Sequence, residues 1–233
     1  MGSRSPAPCA QDPKIQVPYL NTFQSLWEYK ESFLAGQIDF DSRIGPACPL
    51  CGRLHCYRKM APYWRYAIEL FPEFKKERIP VGRFLCRQRR RTFSLLPIQL
   101  IPYFQYTVDA VLGTLLLGWA SWQKGQGGFW GASVEVDPDS LVTPWLVALW
   151  LAAVLRGLRR GHPVLGRFYD LTGIGTPKKV APWEEAAGYF LALGMKAKMR
   201  GQPFWIQLVR PYSQATHQFL FGIPSQQRAP NRP

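Results

Sequence analysis

Residues 48–97 read CPLCGRLHCYRKMAPYWRYAIELFPEFKKERIPVGRFLCRQRRRTFSLLP, and the reading of this stretch decides the fold. Cys48-x2-Cys51-Gly52 is a knuckle that offers two thiolates to one tetrahedral ion. Cys86 ends a strand-like run and is followed by a dense set of arginines. A zinc ribbon would carry a second cysteine three residues later, but position 89 is an arginine. A structural zinc site is closed by four protein ligands, so Cys48, Cys51 and Cys86 need a fourth. Cys56, five residues past Cys51, would make an all-sulfur site; His55 would make a Cys3His site. The competing reading is a metal-free hairpin held by Phe84, Leu85, Phe93 and Leu95. Both stay open at this level. Cys9 has no spacing argument and is left out of the ligand set.

The same stretch carries the charge. The chain of 233 residues has a net charge of +14, and residues 48–105 hold twelve basic against three acidic side chains. Arg83, Arg87, Arg89, Arg90 and Arg91 cluster around Cys86. A guanidinium matches phosphate with two parallel donors, so a hairpin edge bearing several of them suits a nucleic-acid backbone, DNA being the expected form. Tyr57, Tyr63, Trp64 and Tyr66 can stack on bases or fill the sheet core, and the core is the simpler role. In Arg78–Cys86, Ile79, Val81 and Leu85 alternate with Pro80, Gly82 and Phe84, the period of a strand. Tyr63–Ile68 and Thr92–Leu96 read the same way. ELFPEFKKER lengthens the hairpin as a charged excursion.

Outward from this core, residues 1–18 read as a flexible leader and 19–45 as a short helical segment, capped by Asn21 or Thr22, that could dock another protein. Residues 46–104 form the ribbon-like basic module. From 105 to 172 the period changes to that of helices. Val108, Val111, Leu112, Leu115, Leu116 and Trp119 line one helix face behind Thr107 as cap. A second helix starts at Thr143-Pro144 and is apolar nearly all round, which predicts burial on all sides. It turns basic at Arg156, Arg159 and Arg160, which extend the nucleic-acid surface, and Gly161 stops it. HPVLGRFYDL would add a short helix. Residues 173–182 read as a linker, and 183–222 as a C-terminal helix to about Met199 with a strand or coil extension. Residues 223–233 are a polar tail. The expected class is α+β: a small zinc-ribbon-like β-hairpin module followed by a mainly helical, helix-turn-helix-like module.

Several function classes fall away. No trio of carboxylates sits at strand ends as a two-metal nuclease core requires, and His55, His162 and His217 lack a nucleophile arrangement. The chain reads as non-catalytic, with no small-molecule substrate evident. The apolar runs Val108–Trp119 and Trp145–Leu155 are too short or too interrupted to span a bilayer, which takes roughly 20 residues. Peripheral attachment to an anionic membrane through the basic face remains a rival to nucleic-acid binding. MGSRSPAPCAQDP holds no apolar stretch, so a reducing cytoplasm is expected, with the cysteines as ligands or free thiols.

Taken together, CPLCG, RIPVGRFLC, RTFSLLP and LIPYFQY resemble a family of bacterial and mobile-element proteins in which a transposase-like zinc ribbon precedes a helix-turn-helix region. The resemblance covers roughly residues 45–120. It implies zinc at the ribbon and DNA recognition, with the helices at 107–120 and 141–160 standing where the helix-turn-helix lies. In the family pattern the ribbon closes with Cys-x2-Cys before Gly-Arg-Thr-Phe. Here Arg89 and Arg90 replace that second cysteine and the glycine.

Overall fold

The computed structural model describes residues 15–20, 23–136, 138–174, 180–193 and 204–222. Four strands come first in one sheet: β1 (Ile15–Tyr19), β2 (Tyr57–Glu69), β3 (Lys75–Cys86) and β4 (Arg91–Pro97), ordered β1-β4-β3-β2. The ribbon is therefore part of a four-stranded sheet and not an isolated hairpin. β1 runs parallel to β4, Val17 opposite Leu95 and Tyr19 opposite Pro97. The leader expected over residues 1–18 ends before Ile15; residues 1–14 lie outside the described ones. The physical reason is twofold. β1 covers an edge of β4 that would otherwise present unpaired backbone groups, and alternation turns Val17 and Tyr19 into the core while Gln16 reaches the Tyr63 hydroxyl from the other face at 3.2 Å.

β2 and β3 pair antiparallel from Tyr57↔Cys86 to Glu69↔Lys75, with a bulge between Met60 and Tyr63. Pro62 sits in that bulge on an edge strand, where a missing N–H removes nothing from the ladder. The charged excursion expected over ELFPEFKKER shrinks to residues 70–74, because Lys75–Arg78 join β3. Lys76 and Arg78 lie over the Tyr66 ring at 5.0 and 5.9 Å, and Lys30 pairs with Glu77 at 3.1 Å.

Helices α1 (Leu26–Leu34) and α2 (Phe40–Ile44) cover one sheet face. Ser25 caps α1 by accepting the Glu28 N–H at 3.1 Å; the expected caps Asn21 and Thr22 lie outside the described residues. The two helices bring Tyr29, Phe33 and Phe40 onto Tyr19, Phe23 and Phe84 in a chain of tilted and edge-on ring contacts. Phe84 stacks on Phe93, with Tyr57 edge-on to both. Tyr29 is fully buried, and its hydroxyl donates to Pro80 O at 3.0 Å.

The helical part begins with α3 (Val108–Gln123), capped by Thr107 as its sequence predicts. Between α3 and the Thr143 cap lies a further helix, α4 (Gly128–Val134), that the sequence reading did not place. A side chain at Gly118 or Gly128 would put a Cβ within 2.8–2.9 Å of the other residue's carbonyl oxygen and against the Trp183 ring. The glycines thus serve backbone contact between helices, not looseness.

α5 (Pro144–Leu165) starts at the predicted Thr143-Pro144 cap but continues through Gly161 and Pro163, absorbing only the first four residues of the short helix expected over HPVLGRFYDL, whose remainder is not helical. Nor is it buried on all sides. Val147, Trp150, Leu151, Val154 and Leu158 face the core, while Trp145 is 73% and Leu149 48% exposed, since no described element covers that side. α6 (Pro182–Ala192) is the helix expected from Trp183; its predicted last turn falls among residues 194–203, outside the described ones. α7 (Phe204–Thr216) replaces the expected strand or coil, burying Val209, Tyr212 and Ser213 at helical spacing. The core of the linker (175–179) and the tail (223–233) lie outside the described residues. No helix among the described residues is long and apolar enough to cross a membrane.

Candidate metal centre and its arginine turn

Two turns face each other at the end of the β2–β3 hairpin. The first is the Cys48–Gly52 knuckle. Gly52 N–H donates to Cys48 O at 2.8 Å, Cys48 N–H donates to Arg53 O at 3.0 Å, and Gly52 takes φ +71°. Only a residue free of Cβ strain closes this turn cheaply. The second turn, Cys86–Arg90, repeats the pattern. The Arg89 N–H donates to Cys86 Sγ at 3.3 Å, and Arg90, four residues after the cysteine as Gly52 is after Cys48, takes φ +51°. The second turn keeps knuckle geometry without the glycine or the second thiol.

Cys56 supplies what Arg89 does not. It leads into β2, and its carbonyl accepts the Arg87 N–H at 2.9 Å, which fixes it beside the second turn. The sulfurs of Cys51 and Cys56 lie 3.1 Å apart, Cys56 and Cys86 3.7 Å, and Cys51 and Cys86 3.6 Å. All four sulfurs, Cys48 included, fall within 4.8 Å of one another, and they could hold a metal ion. A tetrahedral ion bound to four sulfurs at about 2.3 Å sets their mutual spacing near about 3.8 Å, so the set fits. His55, the alternative fourth ligand, is exposed and stands outside the cluster.

The electrostatics follow from that packing. The hydrogen bond with Cys56, then the Arg53 N–H, draw the Cys51 thiol down to about 7. Cys56 is pushed up, first by its hydrogen bond with Cys51 and then by burial. Cys48 is raised by burial against the pull of the Leu50 and Cys51 N–H groups. Backbone N–H groups aimed at sulfur are the outer shell that orients thiolate ligands.

The arginines divide into two sets. Arg87, Arg89, Arg90 and Arg91 are exposed around the second turn, and Arg83 is half-buried on β3 opposite Ser94. Arg53 joins the turns through its Nη1 bond to Gln88 Oε1 at 3.1 Å, a contact the spacing did not suggest. Two of the α5 arginines have partners within the fold. Arg156 is exposed. Arg159 is clamped by Glu185, with Nε to Oε1 at 2.7 Å, and Arg160 Nη2 donates to the carbonyls of Phe219 and Leu220 at 2.9 and 2.7 Å. Both bind the fold to itself. Of the aromatic residues, Tyr57 belongs to the core, while Trp64 and Tyr66 are 42% and 44% exposed.

In the helical part, a four-residue turn (Lys124–Gly127) joins α3 to α4, whereas nine residues with a short 3-10 turn separate α4 from α5. The exposed faces of α4 and the first half of α5 carry Trp130, Val134, Trp145 and Leu149, which offer few donors or acceptors to base edges. Compared with known proteins, the chain matches no family model, no curated protein and no solved structure.

Proposed function

We propose that the chain is a non-catalytic, zinc-bearing nucleic-acid-binding protein, of the kind found as the recognition region of transposases, with DNA as its partner. Zinc is held by Cys48, Cys51, Cys56 and Cys86; it fixes the two turns and performs no reaction. One observation carries the reading: Arg87, Arg89, Arg90 and Arg91 stand exposed on a turn whose root, Cys86, belongs to the sulfur cluster. Clamping that root removes the loop entropy that four arginines would otherwise lose on gripping a phosphate backbone. Contacts of this sort set affinity and register, not sequence choice.

The test is a salt titration of duplex binding. The zinc-loaded protein should shift a DNA duplex at low salt, with an affinity that falls steeply as salt rises. Absence of any shift at low salt would sink the reading. A second reading, docking of a protein partner, is favoured by the exposed Trp130, Val134, Trp145 and Leu149 of α4 and α5. The segment 19–45 supports it less, since Leu26 and Tyr29 are buried in the fold and Trp27 and Leu34 alone are largely exposed among its big apolar residues.

A further inference from the structure

The four sulfur ligands are not equivalent. Cys48 and Cys86 are buried, whereas Cys51 and Cys56 are both partly open to solvent. The same two make the closest pair, 3.1 Å between sulfurs against 3.6 and 3.7 Å from each to Cys86. Ligands of one zinc ion stand near about 3.8 Å apart, so the distances to Cys86 match a shared ion while the Cys51–Cys56 distance is shorter than the ion requires. An S–S bond is about 2.0 Å long, which leaves this pair about 1 Å from bonding distance.

The chain around the pair keeps it together. Between Cys51 and Cys56, Gly52 at φ +71° and His55 at φ +49° turn the backbone back on itself. The Gly52 N–H holds the first knuckle through Cys48 O, and the Arg87 N–H holds the Cys56 carbonyl. Arg53, Arg87, Arg89 and Arg90 are exposed on the two turns and surround the pair with positive charge. Partly exposed thiols in electropositive surroundings are the ones that oxidise, while buried structural thiols are inert.

We propose that Cys51 and Cys56 form an oxidation site, closed to a disulfide by a hydroperoxide such as hydrogen peroxide. One thiolate of the pair attacks a peroxide oxygen; the O–O bond breaks, a sulfenic acid forms, and the departing hydroxide takes a proton to become water. The second thiolate attacks the sulfenic sulfur; the S–S bond forms, the S–O bond breaks, and a second hydroxide leaves and is protonated. Two thiolates have then given two electrons to one peroxide, which with two protons from solvent becomes two waters. The disulfide removes two of four ligands at once, and Cys48 with Cys86 no longer close a site. Cys86, the root of the arginine turn, is left unclamped. That consequence for zinc and DNA rests on the function proposed above, but the disulfide does not.

Peptide mapping after alkylation of free thiols tests the site on the full-length protein, prepared with and without zinc and treated with a small molar excess of hydrogen peroxide. The main cross-link should be Cys51–Cys56 in both preparations, with Cys48 and Cys86 recovered as alkylated thiols. A chromogenic chelator should register one zinc released per disulfide, and dithiothreitol with added zinc should reverse the change. Duplex affinity should fall at least about tenfold on oxidation and return on reduction. Cys9→Ser should leave the cross-link as it is. A main cross-link through Cys9, Cys48 or Cys86, thiols that all stay free at millimolar peroxide, or passage to sulfonic acids without a disulfide would overturn the proposal. Because the map of the metal-free protein needs neither zinc nor DNA, failure of those readings stays distinguishable from failure of this one.

Discussion

The Arg89 backbone N–H donates to Cys86 Sγ at 3.3 Å, as the residue in a cysteine's place would, while the Cys56 sulfur stands 3.7 Å from Cys86. The second turn thus has a knuckle-like backbone but no second thiol of its own. The fourth sulfur of the cluster comes from Cys56, thirty positions before Cys86, brought in by pairing of β2 with β3. Position 89 presents a guanidinium to solvent.

Ligand exchange tests this directly. Elemental analysis of protein purified without added zinc should give one zinc per chain. Cys56→Ser should weaken zinc binding at least about 100-fold, and His55→Ala should leave it unchanged. Adding Arg89→Cys to Cys56→Ser should restore most of the affinity, since the backbone already has knuckle geometry. Because all four thiols must lose protons to bind the ion, affinity should fall steeply as pH is lowered.

The arginine turn makes a quantitative prediction about salt. Replacing Arg87, Arg89 and Arg90 together by glutamine should lower duplex affinity without altering the melting temperature. The slope of log affinity against log salt should fall by about 2–3, roughly one for each phosphate no longer neutralised. An unchanged slope would place the DNA-binding surface elsewhere.

Asp109 predicts a pH dependence of stability. It lies in the first turn of α3, where a negative charge suits the helix dipole, but its Oδ1 is sealed from solvent without a partner. Burial, and then the nearby Glu69 carboxylate, lift it from 3.8 to about 7. The folded state therefore holds a proton that the unfolded chain releases. This contribution to stability is present below about pH 4 and lost as pH rises toward about 7, a change of a few kcal/mol. Asp109→Asn should flatten that slope in thermal melts and raise the melting temperature at pH 8. A steeper slope in the variant would contradict the assignment.

Helix contact is the last test. Gly118→Ala would drive a methyl group onto the Gly128 carbonyl and the Trp183 ring at once. The cost should be about 1–3 kcal/mol in chemical denaturation, against under about 0.5 for Leu149→Ala on the uncovered face of α5. Equal costs would mean that face is covered in solution.

What the sequence by itself determined is what local chemistry determines. The knuckle spacing from Cys48 to Gly52, the alternation around Ile79 and Val81, and the caps at Thr107 and Thr143-Pro144 could all be read from neighbours in the chain. Each depends on spacing along one element, which the backbone period converts directly into a face or a turn.

Only the tertiary structure decided the rest. β1 looked like leader because a five-residue strand has no signature apart from the β4 edge that pairs it. α4 was not placed from the sequence because its glycines make sense solely against Gly118 and Trp183. Arg159 and Arg160 looked like part of a binding surface until Glu185 and the carbonyls of Phe219 and Leu220 claimed them. The choice of Cys56 over His55 was settled by the β2–β3 register, a long-range pairing that brings one sulfur to the cluster and leaves the imidazole outside it.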